Sequence, residues 1–136
     1  MQDFIIEPGH RTPSIKFMPD KNIFVIQGTS SPEDVRTMYY PVIEWINKFI
    51  EEVLSGSSKI FNNDNPLKFR FDLSYFNSSS AKFFFDLLSE LERLHDANIP
   101  VIVEWCYDEG DTDMEEAGVD FSNLLGMKFI FVPKSS

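Results

Sequence analysis

The run Ile99-Pro100-Val101-Ile102-Val103-Glu104-Trp105-Cys106 is the strongest constraint on what this chain can fold into. Its apolar residues are nearly continuous rather than alternating, the pattern of a strand inside a parallel sheet covered by helices. Proline is tolerable at its start, where a strand can spare one donor. Parallel neighbours cannot be joined by a tight turn, so helices must bridge them. The chain supplies one on each side. Phe84, Leu87, Leu88, Leu91 and Leu94 recur at three and four to about Asp96-Ala97-Asn98, and Met114, Ala117, Gly118, Phe121, Leu124 and Leu125 keep the same spacing.

The remaining segments extend this alternation. Phe4-Ile5-Ile6 is short and apolar; Ser14-Ile15-Lys16-Phe17-Met18 alternates at period two, turns through Pro19-Asp20-Lys21-Asn22 and continues as Ile23-Phe24-Val25-Ile26, an N-terminal β-hairpin. Ser31 as N-cap, Pro32 at the first helical position and Glu33-Asp34 in the first turn predict a helix start. Val35, Tyr39, Val42, Ile43, Ile46, Phe49, Ile50 and Val53 carry that helical region to Ser55-Gly56-Ser57-Ser58, and Pro41 predicts a kink or a restart within it. The turn formers Asn62-Asn63-Asp64-Asn65-Pro66 lead into a strand at Phe69–Leu73, and Lys128-Phe129-Ile130-Phe131-Val132 closes the chain as a last strand. The expected order is ββαβαβαβ. With no internal repeat or linker, it forms one α/β domain over residues 1–136 whose mixed sheet is mainly parallel.

Composition narrows the function classes. Of 136 residues, 22 are acidic and 12 basic, a net charge of −10 that disfavours nucleic acid and anionic membrane surfaces as partners and leaves basic protein surfaces open. No apolar run approaches the ~20 residues of a spanning helix, and Met1-Gln2-Asp3-Phe4 does not begin a signal segment, so a cytoplasmic protein without membrane insertion is expected. Cys106 is the single cysteine, placed on the apolar strand with no local base to activate it. His10 and His95 have no metal-ligand spacing with each other or with Cys106. The acidic run Asp108 to Glu116 lacks the spacing of a calcium loop, and its acids suit the first turn of the helix that follows. No glycine-rich phosphate loop, nucleophile elbow or H-E-x-x-H motif occurs, so neither a cofactor, a metal site nor an enzymatic activity is expected.

The junction from Phe69 to Lys82 holds the chemistry. A strand meets a helix through Asn77-Ser78-Ser79-Ser80. Asn and Ser are preferred N-caps, so these residues suit a helix start. The same start offers free N–H groups and the positive end of the helix dipole, which would receive a phosphate added to one of the serines. Lys82 follows Ser78 by about one helical turn. Phe83-Phe84-Phe85 cannot all face one core at ~100° per residue, and Phe85 points furthest from the leucine stripe, either as a partner surface or under a neighbouring element.

Thr12-Pro13, Tyr40-Pro41 with Trp45, Tyr75-Phe76-Asn77-Ser78-Ser79-Ser80, Glu104-Trp105 with Tyr107, and Asp111 through Gly118 together resemble the SiaC family of bacterial regulatory phosphoproteins, over nearly the whole chain. The Tyr-Phe-Asn-hydroxyl-Ser-Ser segment is the most specific element. That family is similar to the STAS domains of anti-sigma-factor antagonists, in which a hydroxyl at a helix start after a central strand is phosphorylated. The resemblance implies a partner switch: a histidine-kinase-like Ser/Thr kinase and a PP2C-type phosphatase act on the domain, whose unphosphorylated form binds and activates a diguanylate cyclase, raising cyclic di-GMP and influencing biofilm formation or aggregation. It places the phosphoacceptor on Ser78, where the family usually carries threonine, with Ser79 and Ser80 as alternatives. Asn77 and Lys82 are then expected to support the phosphate, and Tyr75, Phe76 and Phe85 to meet the partner. A constitutive adaptor using Phe85 and the acidic loop, and a small-molecule sensor or enzyme using that loop and Cys106, are the alternative classes.

Overall fold

The computed structural model describes residues 1–56 and 60–135. Six strands form one sheet in chain order: β1 (Phe4–Ile6), β2 (Ser14–Met18), β3 (Ile23–Ser30), β4 (Leu67–Phe76), β5 (Val101–Asp108) and β6 (Phe129–Lys134). The helices α1 (Val35–Leu54), α2 (Ser78–Asp96) and α3 (Thr112–Leu125) join β3 to β4, β4 to β5 and β5 to β6, and those pairs are parallel. The hairpin of β2 and β3 turns through a 3-10 segment at Pro19–Lys21, closed by Asn22 in the left-handed region. Phe4-Ile5-Ile6 adds a strand ahead of it, antiparallel to β2. From β2 onward the order is the expected ββαβαβαβ.

Sequential parallel strands linked by right-handed crossovers step the sheet in one direction and put every crossover helix on the same side. The packing follows. Trp45 and Phe49 of α1 lie 5.2 Å from Phe17 and Phe24, Phe84 of α2 lies 5.6 Å from Phe71, and Phe121 of α3 lies 5.6 Å from Trp105. Register places Ile26, Phe71 and Trp105 side by side, and Phe24 shares their face by the two-residue alternation of a strand. One core joins all three helices to that face.

The other face carries no helix among the described residues, which corrects the covered sheet expected from the β5 run. Long polar side chains cover its middle instead. Arg70 pairs with Glu104 at 3.5 Å and Lys134 with Asp72. Cys106 is fully buried beside these four charges, and burial pushes its thiol up from the ordinary value.

Three further expectations need correction. The first helix starts at Val35 rather than after Ser31, because β3 runs through Ser30 and the Ser31 N–H donates to the Arg11 carbonyl. Asp34 is the cap: Oδ1 accepts the Thr37 N–H at 3.2 Å and Oδ2 the Thr37 hydroxyl at 2.7 Å, and that hydroxyl is the main cause holding the carboxyl below its usual pKa. Pro41 does not restart the helix, which is unbroken to Leu54. Thr37, whose carbonyl loses its donor to Pro41, lies with it on the exposed side, where solvent can satisfy it. Of the expected terminus, Ser55 caps α1, while Ser57 and Ser58 lie outside the described residues. Leu124, counted in the α3 stripe, is 71% exposed because it sits at the edge of the arc centred on Met114, Phe121 and Leu125.

Candidate functional site

The end of β4 is reshaped before it meets α2. Phe71 and Leu73 face the helices, and strict alternation would send Tyr75 after them. The register with β3 instead slips between Gly28 and Thr29: Leu73 pairs with Gly28, and Tyr75 pairs with Thr29, leaving Ser74 as the extra residue of a bulge. The slip turns Phe76 inward, where its ring lies 5.4 Å from Phe84 and 6.2 Å from Trp105, and leaves Tyr75 55% exposed beside the helix start. Of the expected partner-binding residues, only Tyr75 stands free. Phe76 is an anchor for the strand end. Phe85 is half-buried against the core, so the exposed-aromatic reading of Phe83-Phe84-Phe85 does not hold. α2 is the middle helix of three: Phe84 meets the sheet, Phe83 meets Tyr39 and Tyr40 of α1, and Phe85 turns toward the opposite flank, where α3 lies.

Asn77 is the N-cap of α2, and its Oδ1 accepts the Ser80 N–H at 2.9 Å. Its own N–H donates to the Ser30 carbonyl at 3.0 Å, so the cap is tied to the end of β3. The three serines then divide. Ser80 is fully buried: its Oγ lies 2.8 Å from the Ser30 Oγ and 3.1 Å from the Ser30 carbonyl, and the Ser30 Oγ is 2.6 Å from the Tyr39 hydroxyl. Burial pushes the Tyr39 phenol up to about 12, against a smaller opposing effect of the Ser30 hydrogen bond. A kinase cannot reach Ser80, which removes it from the candidate acceptors and makes it the pin joining α2, β3 and α1.

Ser78 and Ser79 occupy the first two positions of α2 and are exposed. Asn77 takes the Ser80 N–H through its side chain and the Ala81 N–H through its carbonyl, so the Ser78 and Ser79 N–H groups are the first-turn donors still open among the described residues. Lys82 is exposed, with its ammonium 5.7 Å from the Phe83 ring centre. It lines a groove between α1 and α2 together with Ser79 and Arg36. On the other side of the junction, Tyr75 and Phe76 line a smaller recess with Asp111 and Asp113 at the start of α3. Arg36, Ser30 and Tyr39 are the residues that sequence reasoning missed; Tyr39 read as part of an ordinary helix stripe, and Ser30 fell beyond the strand expected to end at Ile26.

The other chemically capable residues remain dispersed. Asp111 caps α3 by accepting the Met114 N–H, and Glu115 accepts the Tyr107 hydroxyl at 3.2 Å. Among the described residues no group of three or more His, Cys, Asp or Glu side chains could hold a metal ion, and no helix is long and apolar enough to cross a membrane.

Three comparisons place this architecture among known proteins. An uncharacterized protein of Pseudomonas aeruginosa strain UCBPP-PA14 is 29% identical over 129 residues, covering 95% of this chain and 94% of the relative. The solved structure of SiaC of Pseudomonas aeruginosa matches at a TM-score of 0.76 and 27% identity, with both chains covered in full. A chain in the crystal structure of the diguanylate cyclase SiaD in complex with its activator SiaC, also from Pseudomonas aeruginosa, matches at a TM-score of 0.78 and 27% identity, covering 98% of this chain and 100% of that one. The family described as "SiaC family regulatory phosphoprotein" matches residues 6–134, and with that span the chain belongs to the SiaC family of regulatory phosphoproteins.

Proposed function

We propose that this protein is a non-enzymatic cytoplasmic regulator that binds and activates a diguanylate cyclase while Ser78 is unmodified, and releases it when Ser78 is phosphorylated. The observation that carries the reading is the full-length likeness to the SiaC structures, including the one with SiaD, combined with an exposed hydroxyl at the start of the helix after the central strand. A histidine-kinase-like Ser/Thr kinase adds the phosphate and a PP2C-type phosphatase removes it. Ser78 fits the acceptor role because its hydroxyl is exposed while Asn77 and Ser80 hold the backbone beneath it. Phosphate adds about 1.5 to 2 negative charges to a chain already at −10. The open first-turn N–H groups and Lys82 can receive it without refolding, so the switch is one of surface charge and shape rather than of fold. Tyr75, exposed beside it, is the partner-binding aromatic of this reading. The constitutive-adaptor alternative rests on Phe85 and the acidic loop, and the packing of that ring against the core weakens the first of the two.

The test is cyclic di-GMP formation from GTP by a purified diguanylate cyclase of the same organism that resembles SiaD, with the wild-type chain, Ser78→Ala and the phosphorylated chain. Wild type and Ser78→Ala should stimulate the cyclase alike and the phosphorylated chain should not. Equal stimulation by all three overturns the switch, and no stimulation by any overturns the cyclase as partner.

A further inference from the structure

The groove between α1 and α2 opens at Ser79, not at Ser78, and it brings in a cation from the neighbouring helix. Both helices return along parallel strands and so run parallel to each other. Their register is fixed at two levels: Tyr40 lies 5.8 Å from Phe83, and further along Glu51 Oε1 lies 2.5 Å from Arg93 Nη2. One turn back from Tyr40 is Arg36, and one turn back from Phe83 is Ser79, so the two stand level across the groove. Lys82 closes the same helix face at three residues from Ser79. Arg36, Ser79 and Lys82 all line this cavity of about 690 Å³. Two acids share its lining: Glu44 is two turns along α1 from Arg36 and pairs with Lys48 at 3.0 Å, and Asp86 stands one turn from Lys82 on the same face of α2 without forming an ion pair with it. Neither Arg36 nor Lys82 is within ion-pair distance of a carboxylate among the described residues.

We propose that Ser79 is a second phosphoacceptor and that its phosphate is held in this groove between the Arg36 guanidinium and the Lys82 ammonium. The inference rests on the reading that the start of α2 is a kinase target. In the transfer, Ser79 Oγ bonds to the γ-phosphorus of ATP, the hydroxyl proton passes to the kinase's base, and the bond to the β,γ-bridging oxygen breaks to release ADP. Arg36 presents a planar fork of donors that suits two phosphate oxygens, and Lys82 adds a point charge from the other side. Ser78 does not line the groove, and its position about 100° around α2 from Ser79 aims its hydroxyl away from Arg36.

Phosphorus NMR titration of the full chain with encoded phosphoserine at position 79, or at position 78, separates these cases. Two adjacent cations favour the dianion, so the second phosphate pKa at 79 should lie about half a unit below that at 78. Arg36→Gln should raise the value at 79 and leave that at 78 unchanged. Equal values at both positions, or no response to Arg36→Gln, overturn the groove as the phosphate's seat. Phosphosite mapping of the chain from its native cells supplies the second arm. Phosphate at 79, alone or with 78, supports the inference; phosphate at 78 alone overturns it and leaves the Ser78 switch standing; phosphate at neither overturns both.

Discussion

Gly118 faces the indole of Trp105 so closely that a Cβ built there stands 2.5 Å from Cδ1 and 2.7 Å from Nε1. That ring is buried and donates to the Met114 carbonyl at 2.9 Å, so it cannot swing aside without losing a hydrogen bond inside the core. Alanine would gain up to ~1 kcal/mol of helix propensity, and overpacking of this kind costs about 1–3 kcal/mol. Gly118→Ala should therefore lower the unfolding free energy in urea despite the better helix former, and a stabilised variant would mean that α3 can move off the sheet. Tyr39 offers a test through pH. Its phenol is raised from 10.0 to about 12 in the folded chain, so the native state holds its proton where the unfolded state has lost it. The stabilising contribution is fully present below pH 10 and is lost as pH rises through about 12, a fall of roughly 3 kcal/mol at 1.4 kcal/mol per unit. Tyr39→Phe removes that fall, so the order of urea stability should reverse over this window, with wild type ending about 2 kcal/mol the less stable of the two. It should also cost about 1 kcal/mol at neutral pH, since Ser30 loses one of its two hydroxyl partners.

At the scale of elements, α2 can lose its cap without losing its place. Asn77→Ala removes the acceptor of the Ser80 N–H and should cost about 1 kcal/mol in chemical denaturation, while Ser78→Ala at the exposed first position should stay within about 0.5 kcal/mol. A larger effect at Ser78 than at Asn77 would show that the acceptor, rather than the cap, holds the turn together. The two residues also mark where the sequence could be read and where it could not. Helical stripes such as Phe84, Leu87, Leu88, Leu91 and Leu94 declare themselves by period alone, because burial on one face leaves no other spacing. A cap is a local choice among neighbours of similar chemistry. Ser31 and Asp34 both offer an oxygen, and what decides between them is how far β3 runs before the chain leaves the sheet. The same ambiguity stood at Asn77-Ser78-Ser79-Ser80. It was resolved by depth, since Ser80 is drawn under the sheet end by Ser30 and Ser78 and Ser79 are not. The bulge that turns Tyr75 outward has no signal within β4, where Phe69, Phe71, Leu73 and Tyr75 alternate without interruption; its one mark is Gly28 on the facing strand, at φ 117°.

For the whole molecule, the sheet's uncovered face was the least legible feature. The β5 run looks buried on both sides, yet what lies beside Cys106 is two ion pairs, of which only Glu104 belongs to β5 and the other three members come from β4 and β6. With one face left to solvent, all of the aromatic packing is concentrated on the other. Rings there touch in an unbroken series from Phe4 through Trp45, Phe17, Phe69, Phe71 and Trp105 to Phe129, so the N-terminal strands and the last crossover share one packed layer. A layer joined in this way has no weak seam along which half of it could open. The two tryptophans report on its opposite ends, Trp45 beside β1 and β2 and Trp105 beside α3 and β6. In Trp105→Phe only Trp45 fluoresces, and in Trp45→Phe only Trp105 does. Each variant's fluorescence transition in urea should coincide with its own far-ultraviolet circular dichroism transition, whatever stability the substitution has cost. A fluorescence midpoint for Trp45 below that of the dichroism would mean that β1 and β2 detach first, and that the N-terminal strands are an addition to the parallel unit rather than part of its core.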